Sequence, residues 1–212
     1  GIISIPMAGL TTPGFLRCIV NVEVDGKNYR ALATAGFSPE QITPTATEPH
    51  DFDAYWQTSL AALKDVPLDP IMTLVPEQST STVNVYHVSF QNNRLGSRIY
   101  GMLAMPKKEG NYPALLHIPG AGIRPFGADV GTAEKGIITL QIGIHGIPAN
   151  LDPEVYQNLA SGALSNYYLI NADSKDDFYY KRVILGCIRA NDFLTSLPVF
   201  DGTRLAVMGG SQ

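Results

Sequence analysis

Long apolar runs are missing from this sequence. None approaches the roughly 20 residues that a helix needs to cross a bilayer, so no membrane span is expected. Basic clusters are missing too. Lys and Arg number 15 against 19 Asp and Glu, for a net charge of −4, and no segment concentrates the positive side chains. Without such a patch there is no electrostatic footprint for nucleic acid or an anionic membrane surface. Cysteine is scarce. Cys18 and Cys187 are the whole complement, too few for a disulfide framework, and both read as buried free thiols in apolar segments. No set of histidines, acids or cysteines stands at metal-ligand spacing, and nothing calls for an organic cofactor. No initiator Met and no basic-then-apolar leader opens the chain. It starts at Gly1-Ile2-Ile3 and stops inside a motif at Ser211-Gln212, which suggests a piece of a longer product cut at both ends.

What is present is a core. Of the 212 residues, 45% are hydrophobic and only 16% charged, the balance of a globular chain and not of a disordered one. The length suits one medium domain and a small appendage. Residues 14–37 read as a β-hairpin. Phe15, Arg17, Ile19, Asn21 and Glu23 alternate with Leu16, Cys18, Val20, Val22 and Val24, and Asp25-Gly26 supplies the tight turn. Two strands alone are not stable in water, so this piece reads as the end of a β-sandwich accessory domain, residues 1–38, or as an edge added to the main domain. Three prolines and no periodicity make residues 39–49 a linker.

Residues 50–212 carry the signals of an α/β domain. Phe52, Tyr55, Trp56, Leu60 and Leu63 share one helical stripe, read as core packing. Strand-like runs follow at 82–90, 98–105, 113–118 and 136–142, the last two apolar throughout, as strands covered on both faces should be. A helix is expected over 177–197, capped by Asn171 or Asp173, with Tyr180, Val183, Ile184, Cys187, Ile188 and Leu194 as its apolar side. Residues 205–208 make one more buried strand. Strands alternating with helices imply a mostly parallel sheet flanked by helices. Residues 143–175 are rich in Gly, Asn and Tyr and lack a period, apart from a short helix near 153–164. They fit a lid or substrate wall and a solvated loop equally well.

The chemistry concentrates at the end of the chain. Arg204-Leu205-Ala206-Val207-Met208 is a buried strand that runs into Gly209-Gly210-Ser211-Gln212, four of the five positions of Gly-x-Ser-x-Gly. In that motif a serine sits on a strained strand-to-helix turn, so its neighbours must lack bulk. A bare Gly-x-Ser occurs in many loops; the strand before it and the Asp201-Gly202-Thr203-Arg204 turn before that make Ser211 a candidate nucleophile. The backbone N–H of Gln212 would be one oxyanion donor. The run 115–118 leads into Pro119-Gly120-Ala121-Gly122. Pro119 has no N–H, so Gly120, Ala121 and Gly122 are the candidates for the second donor, although a tight turn that needs glycine fits the same residues. The general base is not evident. His50, His87, His117 and His145 all precede Ser211, whereas this arrangement places acid and histidine after the serine. His87 and His117 read as sheet residues and His50 as a residue at a helix start. His145, in the loop after a strand, reads as a pocket wall.

From about Pro49 onward the chain resembles the acetyl xylan esterase / cephalosporin-C deacetylase family of α/β-hydrolases. The resemblance rests on Asp51-Phe52-Asp53-Ala54-Tyr55-Trp56, on Pro113 to Gly120, on Asp177 to Val183 with Cys187-Ile188-Arg189-Ala190, and on Asp201 to Gln212. It implies that Ser211 is the nucleophile and Gln212 the first oxyanion donor. It puts Ala121 where the family usually has a tyrosine donating through its backbone, and His145-Gly146-Ile147 where the family often shows Arg-Gly-Gln. It also implies that the catalytic Asp and His lie beyond Gln212, so that the remainder of the chain is needed for the triad and these 212 residues are inactive alone. The resulting expectation is a serine carboxylesterase, without cofactor or metal, that deacetylates an acetylated carbohydrate such as xylan. Two alternatives stand beside it: a non-catalytic carbohydrate-binding or scaffolding protein on a hydrolase-like frame, and another acyl hydrolase or peptidase on the same fold. A homo-oligomer is left open. A periplasmic or secreted location would match where polymeric sugar esters are found.

Overall fold

The computed structural model describes residue 2 and residues 4–211, and the chain divides into two compact units, 1–52 and 53–212. In the first unit, β1 (Gly14–Val24) and β2 (Lys27–Phe37) form an antiparallel ribbon in continuous register from Gly14↔Phe37 to Val24↔Lys27. Asp25 and Gly26 close it at φ 51° and 73°, positive at both positions as a type I′ turn requires. The alternation read from the sequence therefore makes strands, but it buries little: Phe15, Tyr29 and Leu32 are 62%, 57% and 60% exposed. Cys18 is half-buried.

Helix α1 (Phe52–Lys64) leads into the second unit. Only Ser59 and Leu63 of this helix are buried, and Phe52 and Leu60 are exposed, so the aromatic stripe is not the core element it was expected to be. Tyr55 instead donates its hydroxyl to the Lys175 carbonyl and lies under the Lys181 ammonium, 4.8 Å from the ring centroid.

Six strands then build one mixed sheet: β3 (Ile71–Leu74), β4 (Val83–Gln91), β5 (Arg98–Pro106), β6 (Tyr112–Ile118), β7 (Ile138–Gly143) and β8 (Phe200–Gly209). Their order is β3-β4-β5-β7-β6-β8. The pairs β3–β4, β4–β5 and β5–β7 are antiparallel, while β6 pairs in parallel with β7 and with β8. The α/β layering is as expected, but the sheet is mixed and not mostly parallel: parallel pairing is confined to the three strands nearest Ser211. The strand β3 was not evident in the sequence, and all four of its residues are exposed.

Both faces of the sheet are covered, which is why its central strands are apolar throughout. On one face Val88, Phe90, Ile99, Leu103, Leu116 and Leu140 pack with Ala190, Phe193 and Leu194. These three belong to α4 (Tyr179–Ser196), which follows α2 (Val130–Ala133) and α3 (Pro153–Ser161). Phe90 and Phe193 stack with centroids 5.0 Å apart, and burying each contributes about 2 kcal/mol. On the other face Val83, Val85, Met102 and Ala104 pack with Phe126, Ala149 and Ala133 of α2. Beyond β8 no strand pairs among the described residues, and Val207 and Met208 are 53% and 52% exposed.

Helix α4 differs from its expected form in start and in facing. It begins after Phe178, with no side-chain cap. Asn171 lies upstream in a left-handed turn (φ 54°) and donates its amide to the Asp177 carbonyl at 3.2 Å, and Phe178 N–H donates to Ser174 O at 2.8 Å. Its packed face runs through Val183, Gly186, Ala190 and Phe193, with Ile184 exposed. Gly186 faces the sheet at close approach: a Cβ there would stand 2.7 Å from Ile99 Cδ1. Cys187 is half-buried and not fully enclosed. Most of residues 151–175 is exposed, as in a solvated loop, but two tyrosines anchor the segment. Tyr156 and Tyr167 are 2% and 5% exposed, and the Tyr156 hydroxyl donates to Pro148 O while accepting from Leu151 N–H.

Candidate active site

Because β7, β6 and β8 run parallel and side by side, the segments that follow them leave the sheet at the same edge, the carboxyl end where α/β sheets bind ligands. Entry into β8 is fixed by Asp201. One carboxylate oxygen accepts from the N–H groups of Thr203 and Arg204 at 2.9 and 2.8 Å, and the other accepts from Arg204 Nε at 2.6 Å. The two backbone donors, with the Arg204 guanidinium beside them, hold the Asp201 carboxyl down to about 2.

At the far end of β8, Ser211 has φ 71°. A serine in the left-handed region carries strain of order 1–3 kcal/mol, and this is the conformation that lifts a nucleophile clear of a strand end. The neighbouring loop approaches it as closely as backbone allows. A Cβ on Gly120 would stand 2.8 Å from Gly210 O, 3.1 Å from Ser211 Cβ and 3.7 Å from Ser211 Oγ, so only glycine fits opposite the elbow. The structure thus brings Gly120 and Ser211 together, with Ala121 and Gly122 next along the loop. Gln212 lies outside the described residues.

The loop after β6 is held from behind. Arg124 Nη1 donates to Ala121 O at 2.6 Å and stacks over Phe126, 5.4 Å from its centroid. His145 Nε2 is 3.2 Å from Gly122 O, and its Nδ1 is 2.7 Å from the Tyr179 hydroxyl. Tyr167 meets the imidazole edge-on, with centroids 4.7 Å apart. Burial, and then the nearby Arg182 and Arg124, lower the His145 pKa against the opposing pull of the Gly122 carbonyl. The ring is therefore neutral near pH 7.

The other histidines are placed elsewhere. His50 is exposed in the first unit. His87 Nε2 accepts from Ala149 N–H at 3.2 Å, and its ring stacks on Tyr100. His117 Nε2 is 3.3 Å from the Asp129 carboxylate, without hydrogen-bond alignment. Among the described residues none of the four hydrogen-bonds Ser211, and no group of three or more His, Cys, Asp or Glu is placed to hold a metal ion. No helix among them is long and apolar enough to cross a membrane. A polar cleft of about 200 Å³ opens near Tyr179 and Arg182, lined also by Asn93, Arg94 and Ile170, but no residue of the elbow or of the Gly120 loop reaches it. Sequence reasoning did not single out Arg124, Tyr179 or Arg182. The available signal was local: Tyr179 and Arg182 stand three apart in the first turn of α4 and so share a face.

Comparisons with known proteins follow the same outline. The acetyl xylan esterase family model matches residues 40–212. The acetyl esterase Axe7A of Xylanibacter ruminicola is 37% identical over 213 residues, covering 98% of this chain and 48% of the relative. An acetyl xylan esterase from Paenibacillus sp. R4 superposes with a TM-score of 0.66 at 29% identity, over 80% of this chain and 54% of the other. Acetyl xylan esterase 1 from Thermoanaerobacterium sp. JW/SL YS485 shares the fold at a TM-score of 0.65 and 22% identity, over 77% and 51%. The chain thus spans about half the length of the curated relative it matches. A strand-borne Ser211 at positive φ, a glycine loop pressed against it and a family match over residues 40–212 all converge: the chain belongs to the acetyl xylan esterase family.

Proposed function

We propose that the whole protein is a serine carboxylesterase that removes acetyl groups from an acetylated sugar or polysaccharide such as xylan, through an acyl-enzyme on Ser211. The observation that carries this reading is the left-handed Ser211 at the end of β8, with Gly120 packed against its Cβ and Oγ. Ser211 Oγ attacks the acetyl carbonyl carbon while a histidine takes its proton. The negative charge that develops on the carbonyl oxygen falls to backbone N–H groups, those of Gln212 and of the 120–122 loop. Collapse expels the sugar oxygen, which takes the proton back, and water then cleaves the acetyl-serine to acetate. The family relatives are esterases by name, which favours acetyl transfer to water over peptide cleavage.

Among the described residues none of the four histidines is placed as a base for Ser211. His145 has both ring nitrogens engaged, His87 accepts a backbone N–H, His117 faces Asp129 and His50 lies in the other unit. In this reading the histidine and its acid are supplied by a part of the whole protein outside these 212 residues. The test is fluorophosphonate labelling of the whole protein with peptide mapping, alongside acetate release from acetylated xylan. Modification at Ser211, lost together with acetate release in Ser211→Ala, is the expected result. Labelling elsewhere, or full acetate release by Ser211→Ala, overturns the assignment. A whole protein that neither labels nor releases acetate is a binding protein on a hydrolase frame.

A further inference from the structure

We propose that His145 is a positioning residue, whose Nε2–H grips the Gly122 carbonyl and presets the loop that is to bind the oxyanion. This deepens the esterase reading and rests on it. No peptide bond in the described chain is cis, so each N–H points opposite to the C=O of the same peptide unit. Arg124 holds Ala121 O at 2.6 Å, and His145 approaches Gly122 O at 3.2 Å. Holding Ala121 O fixes the 121–122 plane and with it the Gly122 N–H, one of the candidate donors, while holding Gly122 O fixes the next plane, 122–123, so that the backbone at Gly122 is pinned on both sides and its N–H cannot swing. A loop of small residues has no side chains to order itself, and Gly122 sits at φ 117°, where the backbone is free to turn. Its order therefore has to come from outside.

The hydrogen-bond directions then fix the tautomer. A carbonyl only accepts, so Nε2 carries the hydrogen, and a neutral ring leaves Nδ1 to accept from the Tyr179 hydroxyl at 2.7 Å. The backbone on either side of the ring is held as well. Arg182 Nη1 donates to Ile144 O at 2.9 Å, just before His145. Just after it, Gly146 at φ 71° lies so near Arg182 that a Cβ would stand 2.7 Å from Nη2. Arg182 also stands over the Tyr179 ring, 5.4 Å from its centroid. The order thus runs from Arg182 through Tyr179 and His145 to the Gly122 carbonyl. An imidazole committed at both nitrogens is not a proton shuttle; it is a fixed donor behind the loop.

The test uses the whole protein with three variants. His145→Phe keeps a ring and removes the donor, His145→Gln keeps an N–H within reach, and Tyr179→Phe deletes only the hydroxyl that locks the tautomer. Each is measured for kcat and KM on a small acetyl ester, and for affinity toward an alkylboronic acid, which forms a tetrahedral adduct on the serine. For His145→Phe we expect kcat to fall about tenfold to a hundredfold, KM to stay within about twofold, and boronate affinity to weaken in step with kcat. His145→Gln should restore most of both losses. Tyr179→Phe should show a smaller fall in the same KM-independent pattern. A folded His145→Phe with unchanged kcat and boronate affinity overturns the proposal, as does a loss that His145→Gln does not relieve. If His145→Phe fails to fold, a Tyr179→Phe with unaltered kcat overturns it instead. Absence of fluorophosphonate labelling at Ser211 in the unmutated protein is a different result, because it removes the esterase reading itself.

Discussion

Replacing Gly120 with alanine tests the contact on which the site depends. The added Cβ would lie 2.8 Å from Gly210 O, about 0.6 Å short of the 3.4 Å at which ordinary contact begins, and 3.1 Å from Ser211 Cβ. Both opposing atoms belong to the elbow, and neither is the far end of a flexible side chain that could swing aside. The strain must therefore be taken up by backbone, either the Gly120 loop or the Gly210-Ser211 turn. Overpacking of this kind costs about 1–3 kcal/mol. A reacting group displaced by about half an ångström loses rate steeply, since a 1 Å error costs on the order of a hundredfold. We expect Gly120→Ala to lower kcat/KM on an acetyl ester about tenfold to a hundredfold in the whole protein, and to slow fluorophosphonate labelling of Ser211 by a similar factor. The control is Gly127→Ala, where the new Cβ meets nothing within 4 Å; its activity and unfolding midpoint should match those of the unmutated protein. A Gly120→Ala protein with undiminished kcat/KM and an unshifted midpoint would refute the claim that the loop is pressed against the nucleophile.

Three further expectations concern the frame around the site. Arg189 is 6% exposed and donates to Val66 O at 2.9 Å and Gln91 O at 3.3 Å; Arg189→Leu leaves both carbonyls unpaired and should lower stability by about 3 kcal/mol in urea unfolding, while a change below about 0.5 kcal/mol would show that water replaces the guanidinium. Asp201 is held at about 2 in the folded chain against an ordinary 3.8. Its folded pKa is depressed, so its stabilisation is present above pH 3.8 and is lost as pH falls toward 2. Asp201→Asn should accordingly flatten the loss of stability across that window, and an unchanged slope would count against the capped turn. Burial pushes the Cys187 thiol up to about 11. At pH 8 about one molecule in a thousand is then thiolate, so iodoacetamide should modify Cys187 far more slowly than in the urea-unfolded chain, and equal rates would contradict its placement.

The legible parts of this protein are those governed by short-range rules. Asp25-Gly26 announced a turn because few other dipeptides accept positive φ at both positions, and that turn set the register of an 11-residue ribbon. The apolar run at 205–208 announced a strand, although one that lies largely exposed at the sheet edge and not buried, and the glycines after it announced a tight exit. The illegible parts depended on what lay opposite. The stripe of α1 looked like core, yet Phe52 and Leu60 are exposed, because periodicity gives a helix a face but not a partner. The face of α4 was read about one position off, because which residues pack depends on the sheet opposite, where Gly186 meets Ile99. The short strand β3 has no period of its own and exists by pairing with β4.

The sequence by itself determined most of the elements, their order along the chain and the identity of the candidate nucleophile, because propensity, turn chemistry and motif spacing act over a few residues. Only the tertiary structure decided the neighbours. Ser211, Gly120 and His145 are separated by 91 and 25 positions in the chain, and they converge because β8, β6 and β7 lie parallel and adjacent with their carboxyl ends together. Strand order costs nothing locally and leaves no periodic trace. It is fixed by which faces can be buried at once, and so the role of His145 and Tyr179 behind the loop became visible only when the sheet was assembled.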